Sequence, residues 1–200
     1  METAHREGVD WAYGNISPEA LKNAGKDFII RYVSSDPSKC LSASEARIYS
    51  QAGIDMALVF EDQAGAARGG YSQGEHDARY AHELARKIGM PDGRPIYLAV
   101  DFDAASEGVD VRPYFRGAAA AVGRDRVGIY AGLHTLQQVA NDDIVDWYWQ
   151  TYAWSHHQWD ERAHIRQVLI YLPENPIKIA GVPVDYNKSR KIDFGQWKVS

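Results

Sequence analysis

The sequence has little of several features that would point to a particular class of protein. Its 200 residues contain a single cysteine, Cys40, so no internal disulfide can form. Residues 1–7 carry no apolar core of the kind found in secretory signals, and we expect no signal peptide. No apolar run approaches the roughly 20 residues needed to span a bilayer. We therefore predict no membrane insertion, and the single cysteine fits a reducing cytosol without excluding export.

Motifs of several common catalytic sites are also missing. The seven histidines lack the His-Glu-x-x-His spacing of zinc enzymes, and no Gly-x-Ser-x-Gly elbow or glycine-rich phosphate loop occurs. The net charge is −5, and the longest basic cluster is the short segment 188–191. Because phosphate backbones are bound by basic faces, we expect no nucleic acid partner. We also expect no cofactor and no bound metal.

Short apolar runs that end on a carboxylate are what the sequence has instead. The runs end at Asp10, Glu61, Asp101, Asp103 and Asp185. Each apolar run is typical of a buried strand. A charge at the end of such a strand costs several kcal/mol if it stays dry and unpaired. The pattern therefore predicts strand ends that share one wet, acidic pocket.

Predicted strands and helices alternate along the chain. Helices are predicted over 17–25, 42–52, 73–88, 111–122 and 134–140, and strands over 9–10, 27–33, 54–60, 95–102, 126–131, 147–154, 165–171 and 182–185. Eight strands with helices between most of them predict an α/β fold, a compact and partly irregular (β/α)8 TIM-like barrel. We expect residues 1–200 to form one domain with its core over about 8–197. A doubly wound open sheet is the alternative, but no glycine-rich turn follows the first strand.

Two of the carboxylates lie close together in the sequence. Asp101 and Asp103 are two residues apart on one predicted strand, so both side chains should point to the same face. Two close carboxylates repel each other and one pKa should rise, which supplies the acid and the base of glycoside hydrolysis. Taken singly, Asp10 and Asp185 are more typical of turns and helix caps than of a catalytic site. The acidic residues could instead hold Mg²⁺ or Ca²⁺, although the ligands would come from distant strands.

Aromatic residues are concentrated in one segment of the chain. Four of the six tryptophans lie within residues 147–159. They either pack in the core or form a platform for the flat apolar faces of sugars. The glycine-rich segment 62–74 directly follows Glu61 and should lie at the rim of the pocket.

Five segments in this order resemble a known family. They are 8–10, 100–103, 128–132, 149–154 and 184–187. The resemblance is to a glycoside-hydrolase-like domain of actinobacterial secreted proteins and phage lysins, which is similar in turn to the family 25 lysozymes. It covers residues 8 to about 197. It implies a barrel that cleaves the bond between N-acetylmuramic acid and N-acetylglucosamine in peptidoglycan.

The resemblance also implies roles for individual residues. Asp10 and Asp185 match the first-strand and last-strand aspartates of the lysozymes, and Asp101 matches the first residue of their Asp-x-Glu. Asp103 stands where the lysozymes have the catalytic glutamate, and it is one methylene shorter. Because a misplacement of about 1 Å can cost on the order of 10²-fold in rate, Asp103 and Glu61 both remain candidates for the acid. The predicted catalytic set is Asp10, Glu61, Asp101 and Asp103.

A second set of residues is predicted to bind the substrate. It consists of Asp185, Tyr32, Tyr130, Trp149, Gln150 and Trp154. The expected partner is cell-wall glycan, met by a monomer outside the cytoplasm after release through a phage holin or after export with a leader that is then removed. Two alternatives stay open: a non-catalytic wall-binding domain of a lysin or virion protein, and a metal-dependent hydrolase of phosphate esters.

Overall fold

In the computed structural model, which describes residues 5–199, eight strands close into a barrel. They are β1 (Glu7–Asp10), β2 (Phe28–Val33), β3 (Asp55–Phe60), β4 (Ile96–Ala99), β5 (Val127–Ala131), β6 (Trp147–Gln150), β7 (Ile165–Leu169) and β10 (Asp185–Ser189). Strands β1 to β7 run parallel in sequence order, and β10 closes the barrel between β7 and β1. The predicted α/β barrel is confirmed.

The last barrel strand differs from the prediction. Residues 182–183 belong to a hairpin of β8 (Lys178–Ile179) and β9 (Val182–Pro183), and β10 runs antiparallel to both of its neighbours. The physical reason is the connection: a parallel strand needs a crossover that carries the chain back to the other end of the barrel, and a hairpin does not supply one. Asp185 therefore begins β10 instead of ending a strand, and it still pairs with Asp10 at the end of β1.

Five helices pack against the outside of the barrel. They are α1 (Pro18–Asn23), α2 (Ala43–Gln51), α3 (Gly70–Lys87), α4 (Arg112–Val122) and α5 (Leu133–Asn141). The Ser17 side chain caps α1, and Ser42 and Glu45 form a capping box at the start of α2. The barrel is partly irregular, as predicted, since no α-helix follows β6 or β7 among the described residues. Over this same part of the chain, no helix is both long and apolar enough to cross a membrane.

Helices α3 and α4 touch through glycines. A Cβ atom at Gly74 would overlap the carbonyl oxygen of Tyr114, and one at Gly117 would overlap the carbonyl oxygen of Tyr71. The two backbones can approach this closely only because neither position has a side chain. This contact holds the two longest helices beside β3, β4 and β5.

Apolar side chains fill the lower part of the barrel interior, towards the N-terminal ends of the parallel strands. Inward residues alternate along each strand, and the buried cluster that they form includes Phe28, Ile30, Ala57, Val59, Tyr97, Ala99, Trp149, Ile165 and Phe194. Phe194 comes from the C-terminal segment, its ring lies 4.6 Å from that of Phe28, and its carbonyl oxygen accepts a 2.8 Å hydrogen bond from the Tyr97 hydroxyl. The lower barrel is therefore a packed floor, which leaves the C-terminal ends of the parallel strands for a site.

Candidate active site

The upper layer of the barrel interior is polar. It continues the inward alternation of the strands: Asp101 lies two residues beyond the inward Ala99, and Glu61 two residues beyond the inward Val59. The polar residues at this end are Asp10, Tyr32, Glu61, Asp101, Tyr130, Thr151, Gln167, Asp185 and Asn187. Side chains from every part of the barrel wall thus meet above the apolar floor.

Asp10 is the deepest carboxyl group of this layer. It is only 4% exposed, and its Oδ1 accepts hydrogen bonds from Asn187 Nδ2 at 2.6 Å and from Gln167 Nε2 at 3.1 Å. The Trp149 indole N–H donates to Asn187 Oδ1 at 2.9 Å. Because an indole can only donate, this bond fixes the orientation of the Asn187 amide and turns its NH₂ group towards Asp10.

Gln167 joins Asp10 to Asp185. Its Oε1 accepts from the Thr151 hydroxyl at 2.8 Å and from the backbone N–H of Tyr152 at 3.3 Å, which fixes the amide orientation. Its Nε2 then donates both to Asp10 and to Asp185 Oδ2, the latter at 3.2 Å. The other oxygen of Asp185 accepts from the backbone N–H of Tyr171. The two carboxyl groups therefore share one amide donor.

Both members of this pair hold protons more strongly than ordinary aspartates. Burial raises the pKa of Asp10 well above its usual value, and the charge of Asp185 raises it further, against the lowering effect of the two amide donors. Burial also raises the pKa of Asp185 to about 6, against the opposing Tyr171 N–H. The pair thus retains a proton at pH values where an isolated aspartate has lost it.

Glu61 and Asp101 lie higher in the mouth. Loss of solvation raises the pKa of both carboxyl groups, and the charge of Asp101 raises the pKa of Glu61 further. Asp101 also raises the pKa of Asp10 and of Asp185, so the charges of all four groups are linked. The positive charge of Lys39 opposes the shift at Glu61 and Asp101. Within residues 5–199, no three acidic, histidine or cysteine side chains are grouped closely enough to hold a metal ion.

Among the described residues, Asp103 takes no part in the hydrogen bonds and charge effects that link the other four carboxyl groups. Strand β4 ends at Ala99, so Asp103 lies in the turn that follows. Its Oδ1 accepts the backbone N–H of Ser106 at 3.1 Å, and its carbonyl oxygen accepts that of Glu107 at 3.0 Å. The expectation that Asp101 and Asp103 lie on one strand is wrong, because β4 ends at Ala99, before both of them.

Two predicted substrate-binding residues are buried in structural contacts. Trp149 is 1% exposed and lies in the barrel interior, with its ring 4.4 Å from that of Tyr130. Gln150 is fully buried, and its side chain bonds to Ser155 and to the backbone of residues 158 and 160, which holds the loop after β6. Both side chains are thus buried, and the structure gives their predicted role in substrate binding no accessible surface. Strand β6 ends at residue 150, so the predicted eight-residue strand 147–154 is half loop.

Three aromatic side chains remain at the mouth or its rim. Tyr32 lines a cleft of about 260 Å³ together with Asp10, Trp11, Ala12, Tyr171, Pro183, Val184 and Asp185. The Tyr130 hydroxyl donates to Thr151 at 2.9 Å, in the same network as Gln167. Trp154 is half-buried on the loop after β6, has a left-handed backbone with φ of 56°, and packs against Gly132.

Four residues of the mouth were not predicted from the sequence. Asn187, Gln167 and Thr151 orient the acidic pair, and Lys39 places a positive charge beside Glu61 and Asp101. None of the four is acidic, and the sequence pattern that indicated the site consists of acidic residues at strand ends. Strand alternation could have found two of them, since Gln167 lies two residues after the inward Ile165 and Asn187 two residues after Asp185.

The comparisons with known proteins identify the family. The chain belongs to the Rv2525c-like, glycoside hydrolase-like domain family, whose sequence model matches residues 19–189. The resemblance predicted from the sequence is thus confirmed. The chain is 31% identical over 208 residues to the Mycobacterium tuberculosis protein Rv2525c, named as a candidate peptidoglycan hydrolase, and the match covers 94% of this chain and 82% of that protein.

Solved structures extend the comparison. The crystal structure of the Tat-secreted M. tuberculosis protein Rv2525c with L-tartrate matches with a TM-score of 0.88 at 31% identity and covers 96% of this chain and 98% of that one. A bacterial lysozyme from Streptomyces coelicolor matches with a TM-score of 0.61 at 16% identity, with coverage of 94% and 93%. At that identity the likeness to the lysozyme shows a shared fold.

Proposed function

We propose that this protein hydrolyses glycosidic bonds of peptidoglycan, in the manner of a muramidase. The observation that carries the proposal is the meeting of four carboxyl groups, from four different parts of the barrel wall, in one mouth where each has a raised pKa. Groups of this kind cluster at catalytic sites. The family and the name of the M. tuberculosis relative support the same reaction class.

The accessible carboxyl groups take the chemical roles in this proposal. Glu61 is half-buried, and its raised pKa lets it hold a proton for the oxygen of the leaving sugar. Asp101 is exposed and feels the charge of Lys39 more directly than the buried pair does, so it is the carboxylate that stabilises positive charge at the anomeric carbon. A retaining reaction, assisted by the acetamido group of the substrate, fits these roles. In this scheme Asp103 shapes the turn after β4.

The buried pair binds the substrate in this proposal. Asp10 and Asp185 line the cleft and accept hydrogen bonds, so they suit the N–H or hydroxyl groups of an N-acetylated sugar. Tyr32 in the cleft wall and Trp154 at the rim supply flat apolar surfaces for sugar rings. The Tat-secreted relative supports action outside the cytoplasm, on the cell wall. Either export or release through a phage holin would bring the protein to the cell wall.

A turbidity assay on purified cell walls, with mass spectrometry of the soluble products, tests the proposal. We expect the wild type to clear walls and to release muramic-acid reducing ends. The variants Glu61→Gln and Asp101→Asn should each lose at least about 10²-fold in rate, since each lacks a group that acts on the reacting atoms. The matched control is Asp103→Asn, which keeps an oxygen for the Ser106 N–H and should retain activity.

Other outcomes would contradict the proposal in different ways. A wild type that sediments with walls and releases no reducing ends would be a wall-binding domain. Loss of activity in Asp103→Asn, with Glu61→Gln active, would show that the turn residue is the acid. Thermal melting of every variant is measured alongside, so that unfolding is not mistaken for lost chemistry.

A further inference from the structure

Lys39 is a positive charge without an ion-pair partner at the edge of the acidic mouth. It lies on the loop between β2 and α2 and is half-buried. Its Nζ lies 5.1 Å from the centre of the Tyr32 ring, which lines the cleft beside Asp10. Within the part of the chain that the structure describes, Nζ makes neither a salt bridge nor a hydrogen bond. Its three N–H donors are therefore free for a ligand.

The loop that carries Lys39 is held from several sides. The backbone N–H of Leu41 donates to Tyr32 O at 2.9 Å, and the Asp36 side chain accepts from both the backbone and the hydroxyl of Ser38. From below, Arg31 Nη2 donates to the carbonyl oxygen of Lys39 at 3.3 Å. These bonds fix the start of the lysine side chain, so little of the loop has to be ordered when a ligand binds.

Arg31 lies behind this edge, on the outer face of β2, because its neighbours Ile30 and Tyr32 point into the barrel. It is 2% exposed, its guanidinium group lies 4.4 Å from the Trp11 ring, and its Nε and Nη1 atoms have no hydrogen-bond partner. No salt bridge to Arg31 forms among residues 5–199. Arg31 is thus a buried support for the loop, and Lys39 is the cation that this edge presents to the acidic layer beside it.

We propose that Lys39 binds a carboxylate of the glycan next to the bond that is cleaved. The inference rests on the proposed function and narrows its substrate. In peptidoglycan that carboxylate is the lactyl group of muramic acid, which is free where the stem peptide has been removed and uncharged where the peptide is attached. The site would then select glycan strands without peptides, and the reaction class that must come first is hydrolysis of the amide between lactyl group and peptide.

The charges of the mouth determine where a carboxylate of the glycan can bind. The charge of Asp101 repels an anionic group over the rest of the mouth, and a carboxylate is accepted only where Lys39 faces it. This fixes which sugar lies over Glu61. A glycan whose lactyl group is amidated would cover Lys39 without pairing it, and burying an unpaired cation weakens binding.

Binding of two matched probes tests the inference. One is a muramic-acid glycan oligomer with free lactyl carboxylates, and the other is the same oligomer with those groups converted to methylamides. Calorimetry is done in a Glu61→Gln background, so that the probes are not consumed. We expect the carboxylate probe to bind at least about 10-fold more tightly at low salt, a difference of about 1.4 kcal/mol.

The variants separate recognition from a general effect of charge. Lys39→Met should lose about 10-fold in affinity for the carboxylate probe and change less than about 2-fold for the methylamide probe. Lys39→Arg should keep most of the preference. The control Lys22→Met removes a positive charge from an exposed position on α1 and should change neither affinity.

The outcomes distinguish this inference from the proposed function. Equal weakening of both probes by Lys39→Met, or no weakening of either, would overturn the role of Lys39 even if the wild type cleaves both. A preference that depends on Lys39, in a wild type that cleaves neither probe, would uphold carboxylate recognition and overturn hydrolysis. Failure of both probes to bind would overturn the role of Lys39, and wall clearing by the wild type would then decide the proposed function on its own.

Discussion

Asp10 shows at the scale of one residue how this chain places a charge where charge is unfavourable. Burial and the neighbouring Asp185 work against ionisation, while two amide donors work for it, and burial is the largest of these effects. Both amides are themselves oriented by fixed donors, so the carboxyl group cannot relax by turning them away. Asp10 therefore lowers the free energy of unfolding when it is ionised, as is common for functional residues.

The variant Asp10→Asn tests that cost. Asparagine keeps an oxygen for Asn187 and Gln167 and carries no charge. Because the pKa of Asp10 is higher in the folded state than in the unfolded state, Asp10 makes the wild type lose stability as pH rises above about 4, and the variant lacks this contribution. We expect the variant to melt roughly 2–8 °C higher than the wild type at pH 7.5, to match it near pH 4, and to be inactive. A loss of stability of equal size at both pH values would contradict this.

Trp149 offers a second test at the residue scale. Trp149→Phe removes the N–H that orients Asn187 and leaves a buried amide oxygen without a partner, which should cost about 1–3 kcal/mol of unfolding free energy. Wall-clearing activity should fall roughly 10-fold, since the Asn187 donor is no longer held towards Asp10. The matched control is Trp147→Phe, whose lost bond goes to the carbonyl oxygen of Asp125 near the N-terminal ends of β5 and β6, away from the mouth. Equal effects of the two changes on urea unfolding and activity would refute the role of Trp149.

The bounds of individual helices were predictable from the sequence where contacts between residues close in the chain determine them. The caps at Ser17 and Ser42 placed the starts of α1 and α2, because their side-chain bonds form within four residues. The direction of β10 was not predictable, since it depends on a hairpin whose two strands are two residues each. The close contact of α3 with α4 was also missed, because Gly74 and Gly117 are far apart in sequence and each looks like a weak point in a helix.

The helix contact gives a prediction at the scale of elements. Gly117→Ala puts a methyl group against the carbonyl oxygen of Tyr71 and should lower the unfolding free energy by about 1–3 kcal/mol, even though alanine favours helices. Gly65→Ala is the control: its Cβ would lie 3.5 Å from Arg68 Nε, an ordinary contact, and its φ of −90° suits any residue. Its effect should stay within about 0.5 kcal/mol in urea unfolding. Similar losses in both variants would argue against the tight contact.

At the scale of the whole molecule, the barrel turns a pattern along the chain into a site. The sequence alone predicted the barrel and the acidic mouth, because alternation and strand ends are local patterns that closure brings together. It could not predict that Asp103 lies in a turn, because this depends on where β4 ends and on the conformation of the loop that follows. The sequence also could not show whether Glu61 or a neighbouring carboxyl group is the better proton donor. The pKa values of these groups depend on burial and on charges from strands far apart in sequence.

The linked charges of the mouth are open to direct measurement. Carbon-13 NMR of the side-chain carboxyl groups, followed through a pH titration, reports the protonation of Asp10 in the wild type and in Asp185→Asn. We predict that Asp10 titrates well above the ordinary aspartate range and that its pKa falls when the charge of Asp185 is removed. Two carboxyl groups that each titrate near pH 4, with no response of one to loss of the other, would contradict the account.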